Sequence, residues 1–382
     1  MERFFWQDVS SMNIHILRIL GPWPKNHELY KLDLYFLYAT ISIVFFITAH
    51  VLFQTVNIFF IYSNLEALIE TMLVCVAEFL GILKIYTFVK NIGMLKRLMV
   101  VLDIDIFQPR NATQRLLVEP AIKLWKIIFH TLIGAVVPAL FLWLSFPILN
   151  GSVKNYGLPL PPWYPYDFKK SWFYELTYLH QILGTCLVTL GDDNIDMLIS
   201  ALTMYVGAQC DILCDILKSL GFESSDFGLR LKICVTHHKT ILRFVEKCNV
   251  FFNFIMLGQF FTSSACMAMA FFRLSLLKPS SFEFYTLLTS IISVVMQIFT
   301  YCWFGDEVQG KSDAIAYAAF ESAWTKQCLS NKKSMMIFIR RTLVPVKLST
   351  FKLFYLTLET FIKILRSAVS YYTVLRQFSG LK

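Results

Sequence analysis

Charge is scarce in this chain. The 35 Lys and Arg and 26 Asp and Glu together make 16% of 382 residues, against 56% hydrophobic residues. A soluble surface needs roughly 25–35% charged residues, so two or three soluble domains of this total length are excluded. Glycine and proline are also few, 15 and 12, which excludes collagen-like repeats and low-complexity disorder. Nine cysteines are too thinly spread for a disulfide-rich module. No secretory leader is visible, because Glu2, Arg3 and Asp8 come early and no apolar core precedes a small-residue cleavage site. No P-loop, Gly-x-Gly-x-x-Gly, Gly-x-Ser-x-Gly or His-Glu-x-x-His occurs. Nothing supports catalysis, and no cofactor or metal is expected.

What is present is a series of long apolar runs. In lipid such runs satisfy their backbone only as helices. The predicted fold class is all-α, a polytopic membrane protein with seven transmembrane helices: Leu34–Asn57, Leu65–Val89, Lys126–Leu149, Trp172–Ala208, Val250–Phe271, Phe284–Phe304 and Phe351–Leu375. The fourth is too long for one simple span. Asp192, Asp193 and Asp196 lie in its middle, where the helix is expected to leave the membrane and continue in water. Two short spans are the alternative. The charged stretches 209–248 and 306–350 are expected to build a cytosolic helical anchor, with Ile315, Ala319, Ser322 and Cys328 along one side. The chain divides into 1–305, the tail and helices one to six, and 306–382, the anchor helix and helix seven.

Orientation follows from the basic residues. Segments 1–32, 90–125, 209–248 and 306–350 hold 23 of the 35 Lys and Arg. The positive-inside rule places these in the cytosol, leaving the N-terminus inside and the C-terminus outside. No cysteine then falls in an outside loop. Of two glycosylation sequons, at Asn111 and Asn150, only the second is outside, so sugar on Asn111 would reverse the assignment. The net charge of +9 reads as topology and lipid headgroup contact, with no nucleic-acid partner.

Helix seven carries a polar stripe. Thr360, Lys363, Ser367, Ser370, Val374 and Gln377 follow one another in steps of three and four, so they share one helix face. Such a face at bilayer depth must meet protein or water. It lines a pore, one copy per subunit, or it is polar glue between packed helices. In a pore, apolar Val374 and Phe378 near the outer end suit a gate that closes by dewetting. Glu359 and Lys363 are placed to neutralise each other. Glu70 and Glu78 in helix two are either functional or paired with Lys84. The three aspartates are a cation site or the polar exit of helix four. His237-His238 and Cys210 with Cys214 have no metal-ligand company. Rings at Phe141, Phe173, Tyr174, Tyr178, Phe284 and Tyr285 form a lipid-facing belt or line an apolar cavity.

The last eighty residues resemble the insect odorant receptor family. The segment from Tyr301-Cys302-Trp303-Phe304-Gly305 to Trp324 looks like that family's passage from helix six into its cytosolic continuation. Leu356-Thr357-Leu358-Glu359-Thr360-Phe361 and Ser370-Tyr371-Tyr372-Thr373-Val374-Leu375 look like its terminal helix. Ser370-Tyr371 with Gln377-Phe378 is also similar to the Thr-Tyr and Gln-Phe signature of the related gustatory receptors. The resemblance implies a ligand-gated, non-selective cation channel in the plasma membrane of sensory neurons. It implies a heterotetramer with a shared odorant receptor co-receptor, opened by a small volatile hydrophobic ligand. Family gate positions fall on Val374 and Phe378, with Gln377, Ser370, Ser367 and Lys363 along the pore. The family pocket, carried over by position, falls on Val76, Phe79, Thr131, Gly134, Pro138, Tyr178, Gln181, Tyr285 and Leu288. Arg376 departs from the apolar residue common there, which suits a subunit diluted by co-receptor copies. A gustatory receptor channel, a G-protein-coupled receptor and a transporter are the alternatives.

Overall fold

The computed structural model describes residues 3–25, 30–62, 65–160, 163–222, 226–279 and 281–378. The helices are α1 (Trp6–Val9), α2 (Ser11–Leu20), α3 (Leu34–Ile41), α4 (Ala49–Ile61), α5 (Leu65–Lys90), α6 (Ile92–Leu102), α7 (Ala112–Leu149), α8 (Ser171–Lys218), α9 (Phe227–Leu276), α10 (Phe282–Glu321), α11 (Leu329–Thr342) and α12 (Leu358–Phe378). A π-helical stretch, Ser42–Thr48, joins α3 to α4 into one rod. Helix starts are set by side chains that accept from free backbone N–H groups. Asp33 Oδ1 accepts from Phe36 N at 2.8 Å, and Asn111 Oδ1 accepts from Gln114 N at 2.8 Å.

Six rods are long and apolar enough to cross a membrane among the described residues: Leu34–Ile61, Leu68–Lys90, Ala112–Leu149, Trp172–Lys218, Phe227–Leu276 and Phe282–Lys326. They correspond to the first six expected spans. The seventh, α12, has 21 residues, long enough to span. Its apolar side is buried, together with Thr360 near its start.

The core is built around α8. From Asn194 to Gln209 every one of its residues is buried, enclosed by α2, α9 and α10. The fourth helix therefore continues unbroken past the aspartates, which removes the two-span alternative. Protein rather than water wraps it there. The N-terminal segment is strapped to it: Tyr205 Oη donates to Trp6 O at 3.0 Å, and Asn13 Nδ2 donates to Asn194 O at 2.9 Å. Ile315, Ala319 and Ser322 lie on one buried side as expected, while Cys328 is exposed beyond the helix end. Helix α10 runs without a break across the 305/306 division.

Helix seven differs at its start. Residues from Phe351 read as helix, but Ser349–Thr350 (β1) and Phe354–Tyr355 (β2) pair antiparallel in a hairpin, and α12 begins at Leu358. Its turn puts Phe351 and Lys352 at φ +48° and +59°, a conformation costing roughly 1–2 kcal/mol per L-residue. Two asparagines on α9 hold it. Asn249 Oδ1 accepts from Ser349 N at 3.1 Å, Asn253 Oδ1 accepts from Phe351 N at 2.8 Å, and Thr350 Oγ1 donates to Asn253 O at 2.6 Å.

Candidate functional site

Helix α12 packs against α9 and α10 through Ile364 and Ala368, both buried, and through half-buried Phe361 and Leu365. The Phe361 ring meets Phe299 of α10 edge-on at 5.6 Å. The predicted stripe lies on the uncovered side. Lys363, Ser367, Ser370 and Gln377 are exposed, and Val374 is 44% exposed. Thr360 is the exception, buried at the base where Thr357 lies 3.3 Å from its hydroxyl. Lys363 Nζ sits 2.6 Å from Glu359 Oε1, the expected neutralising pair. Phe378 is the last residue of α12, and its side chain lies outside the described residues.

Two polar networks sit inside the helix bundle. In the first, Lys84 of α5 is fully buried. Its Nζ is 2.8 Å from Asp192 Oδ1 and 2.8 Å from both carboxylate oxygens of Asp196. Gln297 of α10 donates to both carboxylates, to Asp192 Oδ2 at 3.2 Å. Gln259 of α9 donates to Gln297 Oε1 at 2.7 Å. Four helices are thus joined by one chain of bonds, of which those to the carboxylates are charge-assisted and stronger than neutral ones, and the Gln259–Gln297 link is neutral. Asp192 and Asp196 hold a lysine inside the protein rather than marking an exit from it. Among the described residues no group of three or more His, Cys, Asp or Glu could hold a metal ion.

The second network joins α4, α5 and α8. His50 Nε2 lies 2.7 Å from Gln54 Nε2, 3.2 Å from Thr185 Oγ1 and 3.5 Å from Glu78 Oε1. Glu78 is 7% exposed, and Glu70 pairs with Arg273 of α9 at 3.0 Å. Neither glutamate pairs with Lys84, which corrects that alternative. The helices meet closely here because residue 184 is glycine: a Cβ on it would lie 2.6 Å from His50 Cγ and 2.7 Å from Phe46 O. Above them, Tyr164 Oη is 3.4 Å from His180 Nδ1. Burial pushes the Tyr164 phenol above its ordinary pKa, so it stays neutral. Sequence reading missed this network; histidine within an apolar run was the available signal.

The expected pocket residues fall into three sets. Tyr178 and Gln181 are buried and occupied: Tyr178 Oη donates to Leu144 O at 2.6 Å, and Gln181 Nε2 donates to Leu160 O at 3.1 Å. Val76 and Leu288 are half-buried. Thr131, Gly134 and Pro138 share one exposed face of α7, and a Cβ at Gly134 would meet nothing within 4 Å. Phe79 and Tyr285 are 62% and 58% exposed. At the same end, Phe146 of α7 stacks on Phe282 of α10 at 4.6 Å.

A sequence model of the family described as 7tm Odorant receptor matches residues 64–369. The chain belongs to this odorant receptor family. Odorant receptor 13a of Drosophila melanogaster is 24% identical over 94% of the chain and 93% of its own length. Odorant receptor Or1 of Anopheles gambiae is 21% identical over 98% and 95%. The olfactory receptor OR5 of Machilis hrabei, solved in complex with eugenol, superposes with a TM-score of 0.86 at 15% identity, covering 97% of this chain and 98% of that one. The fold of this odorant receptor is therefore a seven-transmembrane, all-α, multi-pass membrane protein, and the family is one of receptors rather than enzymes.

Proposed function

We propose that the chain is the odorant-tuned subunit of a heteromeric, ligand-gated, non-selective cation channel in the plasma membrane of sensory neurons. The observation that carries this reading is the uncovered polar face of α12. A helix whose apolar side packs on α9 and α10 while Lys363, Ser367, Ser370 and Gln377 stay exposed, with Lys363 paired only to Glu359 of the same helix, needs water or a second subunit beside it. Copies gathered about an axis supply both. The 23 basic residues at the opposite end place the N-terminus in the cytosol, so α12 ends outside. Val374 and Phe378 then form the gate at the outer mouth, and residues 306–382 the anchor and pore region.

A small volatile hydrophobic molecule is the ligand, as the eugenol complex of the Machilis hrabei receptor supports. It binds among Val76, Phe79, Thr131, Gly134, Pro138, Tyr178, Gln181, Tyr285 and Leu288 and favours the open state by its differential affinity. The shared co-receptor completes the tetramer and dilutes Arg376 at the mouth. The test is current recorded against a volatile panel with and without a co-receptor. Current that needs the co-receptor supports the tuned-subunit reading. Current from this chain alone would make it a self-sufficient channel of the gustatory kind. Val374→Ala and Phe378→Ala are expected to raise basal current or change evoked current severalfold, since each removes apolar bulk from a dewetting gate. Unchanged basal and evoked currents would sink the gate assignment.

A further inference from the structure

A groove of about 880 Å3 lies between the N-terminal segment and the first turns of α7. Its apolar side is Phe4, Phe5 and Val9 facing Val118 and Ile122, and its basic side is Arg3, Arg115 and Lys126. On α7 the lining positions 115, 118, 119, 122 and 126 recur in helical steps, so the groove follows one face of the helix. Around it the surface is apolar and exposed at Phe5, Met12, Leu116 and Ile127, as a lipid-facing border is.

Length fixes its depth. Helix α7 has 38 residues, about 57 Å, against a hydrocarbon core of about 30 Å. With the apolar span starting at Lys126, Arg115 lies roughly 16 Å farther along the axis. The headgroup layer of one leaflet is only about 5–8 Å deep. A simple phosphodiester headgroup reaches Lys126 but not Arg115. A headgroup carrying further phosphates away from the glycerol extends toward Arg115, whose own long side chain covers part of the remaining distance.

The acidic lining agrees with this. Asp8 and Glu119 share the groove with the three cations. Glu119 is held by Lys123 at 2.8 Å, and Arg3 donates to Asp103 O and lies 3.9 Å from Asp105. Carboxylates beside cations repel a bare phosphate but accept hydrogen bonds from ring hydroxyls. We infer that this groove binds an inositol phospholipid of the cytosolic leaflet, with its phosphates on Arg3, Arg115 and Lys126, a ring hydroxyl on Asp8 and its acyl chains running past Lys126 into the bilayer. The N-terminal segment is thereby held to α7 by a lipid, beside its direct bonds to α8.

The inference rests on the proposed cytosolic N-terminus only for the lipid's availability in cells. Binding in lipid discs, where both faces are open, does not depend on it, so failure of the orientation and failure of the site are separable. The full-length chain is placed in discs of phosphatidylcholine containing either phosphatidylserine or phosphatidylinositol bisphosphate, and retained lipid is measured by native mass spectrometry. The bisphosphate lipid is expected to be retained selectively. Lys126→Gln and Arg3→Gln, both at exposed side chains, are each expected to weaken retention about fivefold. Arg115→Gln is expected to do the same, with thermal stability measured alongside. Equal retention of phosphatidylserine, or unchanged retention in both exposed-site variants, overturns the inference. Displacement by soluble inositol trisphosphate at matched concentration would assign the groove to a free phosphate and overturn the lipid source.

Discussion

Lys84→Met is expected to keep the receptor from reaching the cell surface. The substitution preserves side-chain length but leaves Asp192 and Asp196 facing each other with no cation inside the bundle, where Lys84 is now 2.8 Å from both. Breaking a buried pair by removing one partner costs about 3–5 kcal/mol, because the remaining charge is uncompensated. That is a large part of the 5–15 kcal/mol that holds a typical folded domain together. The triple variant Lys84→Met, Asp192→Asn, Asp196→Asn removes the charges together and is expected to recover much of the loss, since Gln297 can still bond neutral amides. Surface labelling and thermal unfolding in detergent read both. Wild-type stability in the single variant would show that the lysine is not the counter-ion.

Gly305→Ala is expected to have the next largest effect, and it should fall on gating as well as stability. At this point α10 touches the backbone of Leu356, two residues before α12. A Cβ on residue 305 would lie 2.5 Å from Leu356 Cβ and 3.0 Å from Leu356 C, and would collide with Leu356 O. The obstacle is the backbone and Cβ of Leu356, so no flexible side-chain end can yield. Overpacking of this kind costs about 1–3 kcal/mol, and relief requires the start of α12 to move away from α10. Gly310→Ala in the same helix is the control, because nothing lies within 4 Å of its Cβ position. Evoked current severalfold lower in Gly305→Ala than in Gly310→Ala, at equal surface amount, is the expected result. Indistinguishable currents would show that this close approach does not position the pore helix.

The seven helices were legible because burial in lipid writes itself as long apolar runs. The stripe on α12 was legible because helical periodicity alone places Lys363, Ser367 and Ser370 on one side. The start of α12 was not. Phe351 to Leu353 read as helix by composition, but the backbone there bonds to Asn249 and Asn253, about a hundred positions earlier. The aspartates of α8 were legible as a cluster and not as a site of pairing, since their lysine is more than a hundred positions away. Position matching named Tyr178 and Gln181 as pocket residues, yet their polar atoms are already taken by Leu144 and Leu160. Such partners are set by tertiary packing, which no local pattern reports.

Helix α8 is 48 residues without a break, a rod of about 72 Å. Gly184, where it presses against His50 and Phe46, divides it unequally, into arms of roughly 20 Å and 51 Å. A rod that rocks on such a fulcrum moves its C-terminal end about two and a half times as far as its N-terminal end. The mechanical advantage runs outward to inward: a small displacement beside Tyr178 becomes a larger one at Leu213 and Leu217, both fully buried. Spin-label distances taken at both ends, with and without ligand, would separate this lever from a simple slide, in which the two ends move equally.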